Sequence, residues 1–213
     1  MKEADMYKHF FKRLLDIMIS GIGLICLSPI IGILAILVRT KLGSPIIFKQ
    51  ERPGRNEKVF TLKKFRTMTN ECDAAGNLLP DAQRLTKFGR FLRATSLDEL
   101  PELWNIFCGD MSLIGPRPLL ISYLPYYTQR EKLRHTVRPG LTGLAQISGR
   151  NYLEWDKRLE KDVEYVENLS FGLDFKIFFM TIKKVFVRED VIVDTNIIEG
   201  NLAQIRSAER ENN

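Results

Sequence analysis

The stretch IMISGIGLICLSPIIGILAILV, residues 17–38, contains no charged side chain. As a straight helix it would be about 33 Å long, enough to cross the hydrocarbon core of a bilayer. The run is too long for a signal peptide, and cations rather than a small-residue cleavage site follow it. Lys8, Lys12 and Arg13 precede it, and Arg39 and Lys41 follow. Cationic flanks stay on the cytoplasmic side, so both ends are drawn to one face. A hairpin that enters and leaves by that face satisfies both flanks, whereas a single crossing does not. Ser28-Pro29 sits near the midpoint, where proline removes a backbone donor and bends a helix. The Ser28 hydroxyl can serve the freed carbonyl. A re-entrant helix-break-helix is therefore favoured, with a kinked transmembrane helix as the alternative these cues leave open. Asp16, at the entry, is expected to pair with a nearby Lys or Arg, because a lone charge there is costly.

The whole chain of 213 residues can bury one good core. Three parts follow: a membrane hairpin with its flanks (1–41), a cytosolic-face body (42–187) and a polar C-terminal tail (188–213), expected to be mobile. The net charge of +6 suggests an anionic partner. No zinc finger, RNA-recognition signature or long basic tract points to nucleic acid. Cys26, Cys72 and Cys108 form no CxxC pair and are odd in number, so neither a disulfide framework nor a zinc site is implied. With only His9 and His135 available, any metal would be oxygen-ligated, which means Mg²⁺ or Mn²⁺.

Within the body, 46–50 and 59–62 read as strands of a β-hairpin around the turn RPGRNEK. Residues 83–94, 99–108, 119–134 and 152–167 read as helices, and 112–118 and 138–150 as Gly/Pro-rich loops. Residues 171–187, FGLDFKIFFMTIKKVFV, suit an amphipathic helix lying in the membrane interface, although a core helix has a similar composition. The class is mixed α/β with helix dominant.

Chemistry concentrates in residues 93–118, RATSLDELPELWNIFCGDMSLIGPRP. Asp98 and Glu99 set two carboxylates side by side, with Arg93 before them and Arg117 after. Paired carboxylates near fixed cations suit phosphate chemistry, one attacking phosphorus or holding a metal while the cations neutralise phosphate oxygens. The same letters also fit a capping box, Ser96 as N-cap and Glu99 three residues on. Pro101 weakens that reading, because its ring would crowd the carbonyl four residues back. Either way Asp98 stands at a helix start, where the dipole favours an ionised carboxylate. Gly115-Pro116-Arg117-Pro118 and Arg138-Pro139-Gly140 each hold an arginine on a stiffened turn, and Gly149-Arg150 offers a third. These suit a phosphate grip, or are exposed arginines on rigid turns. Strand alternation sends Lys64 and Arg66 to one face, where they could line an anion pocket or merely charge a sheet edge. Asp162 and Asp174 read as structural partners of cations.

The phrases FKQERPGRNEKVFTLKKFRTM, TSLDELPELWN, GDMSLIGPRPLL, RHTVRPGLTGLAQISGRN and LDFKIFFMTIKKV resemble the bacterial sugar transferases, the monotopic phosphoglycosyl transferases that start glycoconjugate assembly. The resemblance runs over roughly residues 6–187. The chain is similar to the small monofunctional form, such as the enzyme initiating Campylobacter-type N-glycan synthesis. It implies transfer of a sugar 1-phosphate from a UDP-sugar to undecaprenyl phosphate, giving UMP, at the cytoplasmic face of a bacterial membrane. It implies Asp98 as nucleophile through a covalent phosphosugar intermediate and Glu99 with Mg²⁺. It further implies Lys64, Arg93 and Arg117 as active-site cations, and Arg150 in a mobile substrate loop. Ser28-Pro29 then marks the break of a re-entrant helix. Membrane phospholipid, and downstream glycosyltransferases acting on the product, are the partners to expect; the oligomeric state is left open. A membrane-anchored adaptor whose basic loops bind lipid is the rival class. A membrane-tethered phosphohydrolase stands further off.

Overall fold

The computed structural model describes residues 6–149, 153–187 and 201–211. Helix α1 spans Lys12–Leu42 and follows a π-helical turn at Tyr7–Phe11. Its 31 residues would extend about 46 Å if straight. The helix runs through Pro29 without interruption. The break expected at Ser28-Pro29 is therefore realised as one helix bearing a proline, not as two helices. The Ile25 carbonyl, deprived of its usual donor by Pro29, accepts instead from the Ser28 hydroxyl at 2.8 Å. Gly43, at φ +85°, ends the helix, a conformation that favours glycine.

Only one stripe of α1 faces the rest of the molecule. Lys12, Asp16 and Ser20 are buried on its first turns and Leu34, Val38 and Leu42 on its last, each set at spacing four. Ile22, Ile25, Ile33 and Ile36 on the other side are 58–75% exposed. Such a face belongs in an apolar solvent rather than in water. Both ends are fastened to the same body. Arg13 donates to the carbonyls of Ile106 and Phe107 at 2.6 and 2.8 Å. Asp16 takes the Ser112 hydroxyl at 3.0 Å and the Leu113 amide at 2.9 Å. The cation expected beside Asp16 is thus replaced as direct partner by a hydroxyl and a backbone N–H. At the far end Arg66 donates to the carbonyls of Leu42 and Ser44, and Val38 and Leu42 pack with Phe65 and Leu92.

Strands β1 (Ile47–Pro53) and β2 (Val59–Phe65) pair antiparallel, Ile47 opposite Phe65 and Pro53 opposite Val59. The turn between them puts Asn56 at φ 55°, a conformation that asparagine tolerates better than most residues. Helices α2 (Asp81–Arg84), α3 (Lys87–Ala94) and α4 (Glu102–Cys108) follow. The two segments expected to be loops contribute a second, parallel pair, β3 (Ser112–Ile114) beside β4 (Gly140–Thr142). Their glycines are required by approach rather than by turn geometry. A Cβ on Gly140 would lie 2.1 Å from the Gly115 amide nitrogen, and one on Gly143 would lie 2.1 Å from the Gly115 carbonyl oxygen. Helices α5 (Leu144–Ile147), α6 (Trp155–Glu167), α7 (Phe171–Val187) and α8 (Leu202–Glu211) complete the described chain. Residues 121–126 and 131–136, expected as one helix broken at Pro125, are two 3-10 helices.

Asp174 knots three helices together. It accepts from Lys12 Nζ, the Tyr7 hydroxyl and the Tyr165 hydroxyl, each at 2.7 Å. Asp162 pairs with buried Arg134 at 2.8 Å. Both carboxylates are structural, as their sequence context suggested. On α7, Ile177 is fully buried, whereas Phe171, Phe175 and Phe179 are more than half exposed. Part of the C-terminal tail is not free chain. Leu202 of α8 is fully buried against Tyr123, Tyr127, Trp155 and Leu159, because this polar stretch still offers one apolar face. Arg206 of the same helix reaches Glu131 at 2.6 Å and Asp156 at 2.7 Å.

Candidate active site

Asp98 lies on a 3-10 turn, Leu97–Glu99, inserted between α3 and α4. The capping box does not form. Ser96 is held at φ 54° and its side chain caps nothing. The α-helix starts only after Pro101, whose ring then meets no preceding helical carbonyl. A serine in the left-handed region is strained, and such strain gathers at functional sites. Here it aims Asp98 and Glu99 back toward β2.

Three carboxylates meet there. Glu99 Oε1 accepts from Lys64 Nζ of β2 at 2.7 Å and from an Arg117 terminal nitrogen at 2.8 Å. Lys64 Nζ also lies 3.0 Å from Glu102 Oε1, on the first turn of α4, without hydrogen-bond alignment. Asp98 is 8% exposed and its side chain accepts no hydrogen bond among the described residues. Lys64, Arg93 and Arg117 surround it closely enough to favour its charge. Arg93 is aimed by its Nε–H, which donates to the Thr67 hydroxyl at 3.0 Å.

The environments divide the three acids. Burial pushes Asp98 up to about 6, with the Glu99 charge adding to the rise and the cations opposing it. The direction is opposite to that expected from a helix dipole, because desolvation outweighs it. Burial also acts against ionised Glu99, but Arg117 and Lys64 overcome it and hold its carboxyl well below the usual carboxylate range. Burial, then the Glu99 charge, pushes Glu102 up to about 7. Asp98 is thus mostly ionised at pH 7, with no hydrogen-bond donor in the described chain to stabilise it. Such a carboxylate is free to accept an electrophile or a cation.

The sequence-selected residues separate into two groups. Asp98, Glu99, Lys64, Arg93 and Arg117 come together. Arg66 does not join them: its guanidinium clamps the end of α1 and takes the Asn70 side chain at 2.9 Å. Strand β2 ends at Phe65, so alternation no longer dictates where Arg66 points. Arg138 also lies elsewhere, donating to the Gly109 carbonyl at 2.8 Å beyond the far end of α4. Arg150 falls outside the described residues. Glu102 was not singled out from sequence, although it stands one helical turn beyond Glu99 and shares its partner Lys64.

Glu102→Gln tests its part in the charge balance. If the ionised form of Asp98 is the reactive one, kcat/KM should rise with pH through about 6, or lower where a bound cation favours the charged form. Ionisation of Glu102 near 7 adds a second negative charge beside Glu99 and Lys64, so activity on an anionic substrate should fall again above that pH. The variant is expected to keep the rise and lose the fall. Superimposable pH profiles of the two proteins would leave Glu102 a purely structural residue.

A family model described as bacterial sugar transferase matches residues 7–188. An uncharacterized sugar transferase, EpsL of Bacillus subtilis, is 56% identical over 180 residues, covering 84% of this chain and 89% of that protein. A UDP-glucose:undecaprenyl-phosphate glucose-1-phosphate transferase of Klebsiella pneumoniae is 43% identical across 84% of this chain. An undecaprenyl-phosphate galactose phosphotransferase of Salmonella typhimurium is 40% identical across 87% of it. The chain spans only 41% and 42% of the length of those two.

Proposed function

This chain belongs to the bacterial sugar transferase family, and from that premise we propose that it moves a sugar 1-phosphate from a UDP-sugar to undecaprenyl phosphate. The lipid-linked product would begin assembly of a polysaccharide or other glycoconjugate. The names of the Klebsiella and Salmonella relatives supply the donor and acceptor classes. The observation that carries the reading is Asp98, a buried carboxylate that takes no hydrogen bond among the described residues and is ringed by Lys64, Arg93 and Arg117.

In the proposed first step an Asp98 oxygen attacks the β-phosphorus of the UDP-sugar. The bond to the bridging oxygen breaks and UMP leaves, with the phosphosugar carried on Asp98. In the second step a phosphate oxygen of undecaprenyl phosphate attacks the same phosphorus and restores the carboxylate. Lys64, Arg93 and Arg117 offset the charge of two anionic substrates and an anionic nucleophile. Glu99 holds Lys64 and Arg117 in place through its hydrogen bonds.

No group of three or more His, Cys, Asp or Glu side chains placed to hold a metal occurs among the described residues. Mg²⁺, however, is commonly held by one or two carboxylates with substrate phosphates completing the shell. Asp98, whose carboxylate takes no hydrogen bond among the described residues, together with its chain neighbour Glu99, fits that kind of site. When bound, Mg²⁺ would neutralise phosphate charge and polarise the phosphorus under attack.

The membrane reading rests on α1. Its first and last turns are tied to one body, which supports entry and exit by one face. We therefore read α1 as re-entrant, bent at Pro29, with the phenylalanine face of α7 in the interface of the cytoplasmic leaflet. Tags at the N- and C-termini should report the same membrane face; opposite faces would end this reading.

The function is tested by supplying purified protein in detergent with Mg²⁺, a panel of UDP-sugars and undecaprenyl phosphate. Sustained UMP release, beyond one equivalent, that requires the prenyl phosphate is expected for at least one sugar. Release that is equally fast to water, with no acceptor requirement, would make the protein a phosphohydrolase.

A further inference from the structure

We propose that a cationic recess at the entry of α1, separate from the Asp98 cluster, holds the phosphate of an anionic phospholipid. The proposal rests on the membrane-seated reading above and adds a defined lipid site to it. Lys8, Lys12 and Arg13 reach the recess from the start of the chain, Arg55 from the β1–β2 turn and Arg138 from the loop before β4. Asp16 is the one carboxylate in its lining.

Counting charges leaves a surplus. Lys12 is matched by Asp174, and the Asp16 carboxylate is bound to Ser112 and Leu113. Arg13 spends two donors on the carbonyls of Ile106 and Phe107. Arg138 spends only Nε–H, on Gly109. The side chains of Lys8 and Arg55 have no hydrogen-bond or ion-pair partner among the described residues. Burial, followed by the charges of Arg13 and Arg55, pushes the Arg138 guanidinium below its ordinary range, so these cations crowd one another. An anion with several acceptor oxygens relieves that repulsion and uses the idle N–H groups, and a phosphate has the right geometry for guanidinium forks.

Position selects the class of anion. Phe10 and Phe11 of the π-helical turn and Leu14 and Met18 of α1 are all exposed, and exposed Phe171 packs edge-on against Tyr7 of the same turn. A phosphate held here would have its acyl chains beside an apolar skirt at headgroup depth. The recess touches the C-terminal end of α4, whereas Glu102 opens that helix. The two sites are thus separated by the length of α4, about 10 Å. The acceptor's phosphate must reach Asp98, so the recess is left to a bulk lipid.

The test uses the full-length protein in a neutral detergent. Native mass spectrometry follows binding of dioctanoyl phosphatidylglycerol, dioctanoyl phosphatidylcholine and inorganic phosphate. One saturable phosphatidylglycerol is expected, weakened by about tenfold or more in the double variant Lys8→Gln, Arg55→Gln. A control pair on α6, Lys157→Gln with Lys161→Gln, should leave binding unchanged. Equal binding by wild type and the Lys8, Arg55 variant would overturn the recess. Equal weakening by the α6 pair would mean diffuse attraction by net charge and would also overturn it. Inorganic phosphate binding as tightly as the lipid would overturn the assignment to phospholipid. Prenyl-dependent UMP release, measured separately, should persist in the Lys8, Arg55 variant. Its absence from wild type as well would count against the proposed reaction, while lipid binding is read independently.

Discussion

Replacement of Asp98 by Asn is expected to lower sugar-phosphate transfer by more than about a thousandfold while the protein stays folded. The side chain is isosteric, and among the described residues Asp98 makes no side-chain hydrogen bond that the amide would forfeit. Removing its charge relieves repulsion with Glu99, which contributes to the raised pKa of about 6. The variant should therefore melt no lower than wild type. The discriminating measurement is made without acceptor. Wild-type protein mixed with a labelled UDP-sugar should release one equivalent of UMP and retain one equivalent of label. The Asp98→Asn protein should do neither, and Glu102→Gln should still do both. Turnover by the Asp98→Asn protein within tenfold of wild type, with deamidation excluded by mass, would remove Asp98 as nucleophile. A normal single-equivalent burst from that variant would move the covalent step to another side chain.

The parts of this molecule readable in sequence are those decided by local physics. The uncharged run 17–38 reads as membrane-length and helical, with a break favoured at Ser28-Pro29 where one continuous helix forms. Proline at 29 marks the carbonyl that Ser28 now serves. The β1–β2 hairpin followed from a turn between two apolar runs. The gathering of Asp98 and Glu99 with Lys64, Arg93 and Arg117 was anticipated, but its geometry was not. Ser96 does not cap, because it stands in the left-handed region before a 3-10 turn, which no local signal announces. The GPRP and RPGLTG segments read as loops because glycine and proline signal turns. Their actual constraint is long-range: Gly115 must pass within contact of Gly140 and Gly143 so that β3 and β4 can pair. Nothing local announces such an approach. Arg66 and Arg138 were chosen by residue type and flanking geometry. The fold spends them on carbonyls, at the end of α1 and beyond the end of α4 respectively. Glu102 was legible in principle, since a helix begun at Pro101 places it one turn from Glu99. Residues 201–211 misled because one leucine and one arginine decide their docking, too little to stand out in a polar stretch.

Arg117 carries the second large expected effect, and the reason lies in how its loop is held. The Arg117 carbonyl accepts from Arg134 at 2.6 Å, and the Pro118 carbonyl accepts from Arg52 at 3.3 Å. Arg134 is itself locked by Asp162 and by the Tyr127 hydroxyl. Two arginines thus hold the backbone at, and just after, a residue flanked by prolines. The Arg117 guanidinium is delivered to Glu99 with little freedom left to lose on binding phosphate. Its charge also favours ionised Asp98. Arg117→Ala should reduce kcat by about a hundredfold to a thousandfold, the usual consequence of losing one fixed group that stabilises developing charge. The rise of kcat/KM with pH should also move upward, because Asp98 loses one of the cations that favour its charge. Arg117→Lys keeps the charge but not the fork. It should restore the pH profile more fully than the rate. Stability is expected to change little, because Lys64 still pairs with Glu99 and the Arg117 side chain is 44% exposed. A wild-type rate in Arg117→Ala, at unchanged melting temperature, would show the guanidinium to be a surface partner of Glu99. A rate loss fully restored by Lys would mean that charge alone, without bidentate geometry, does the work at this position.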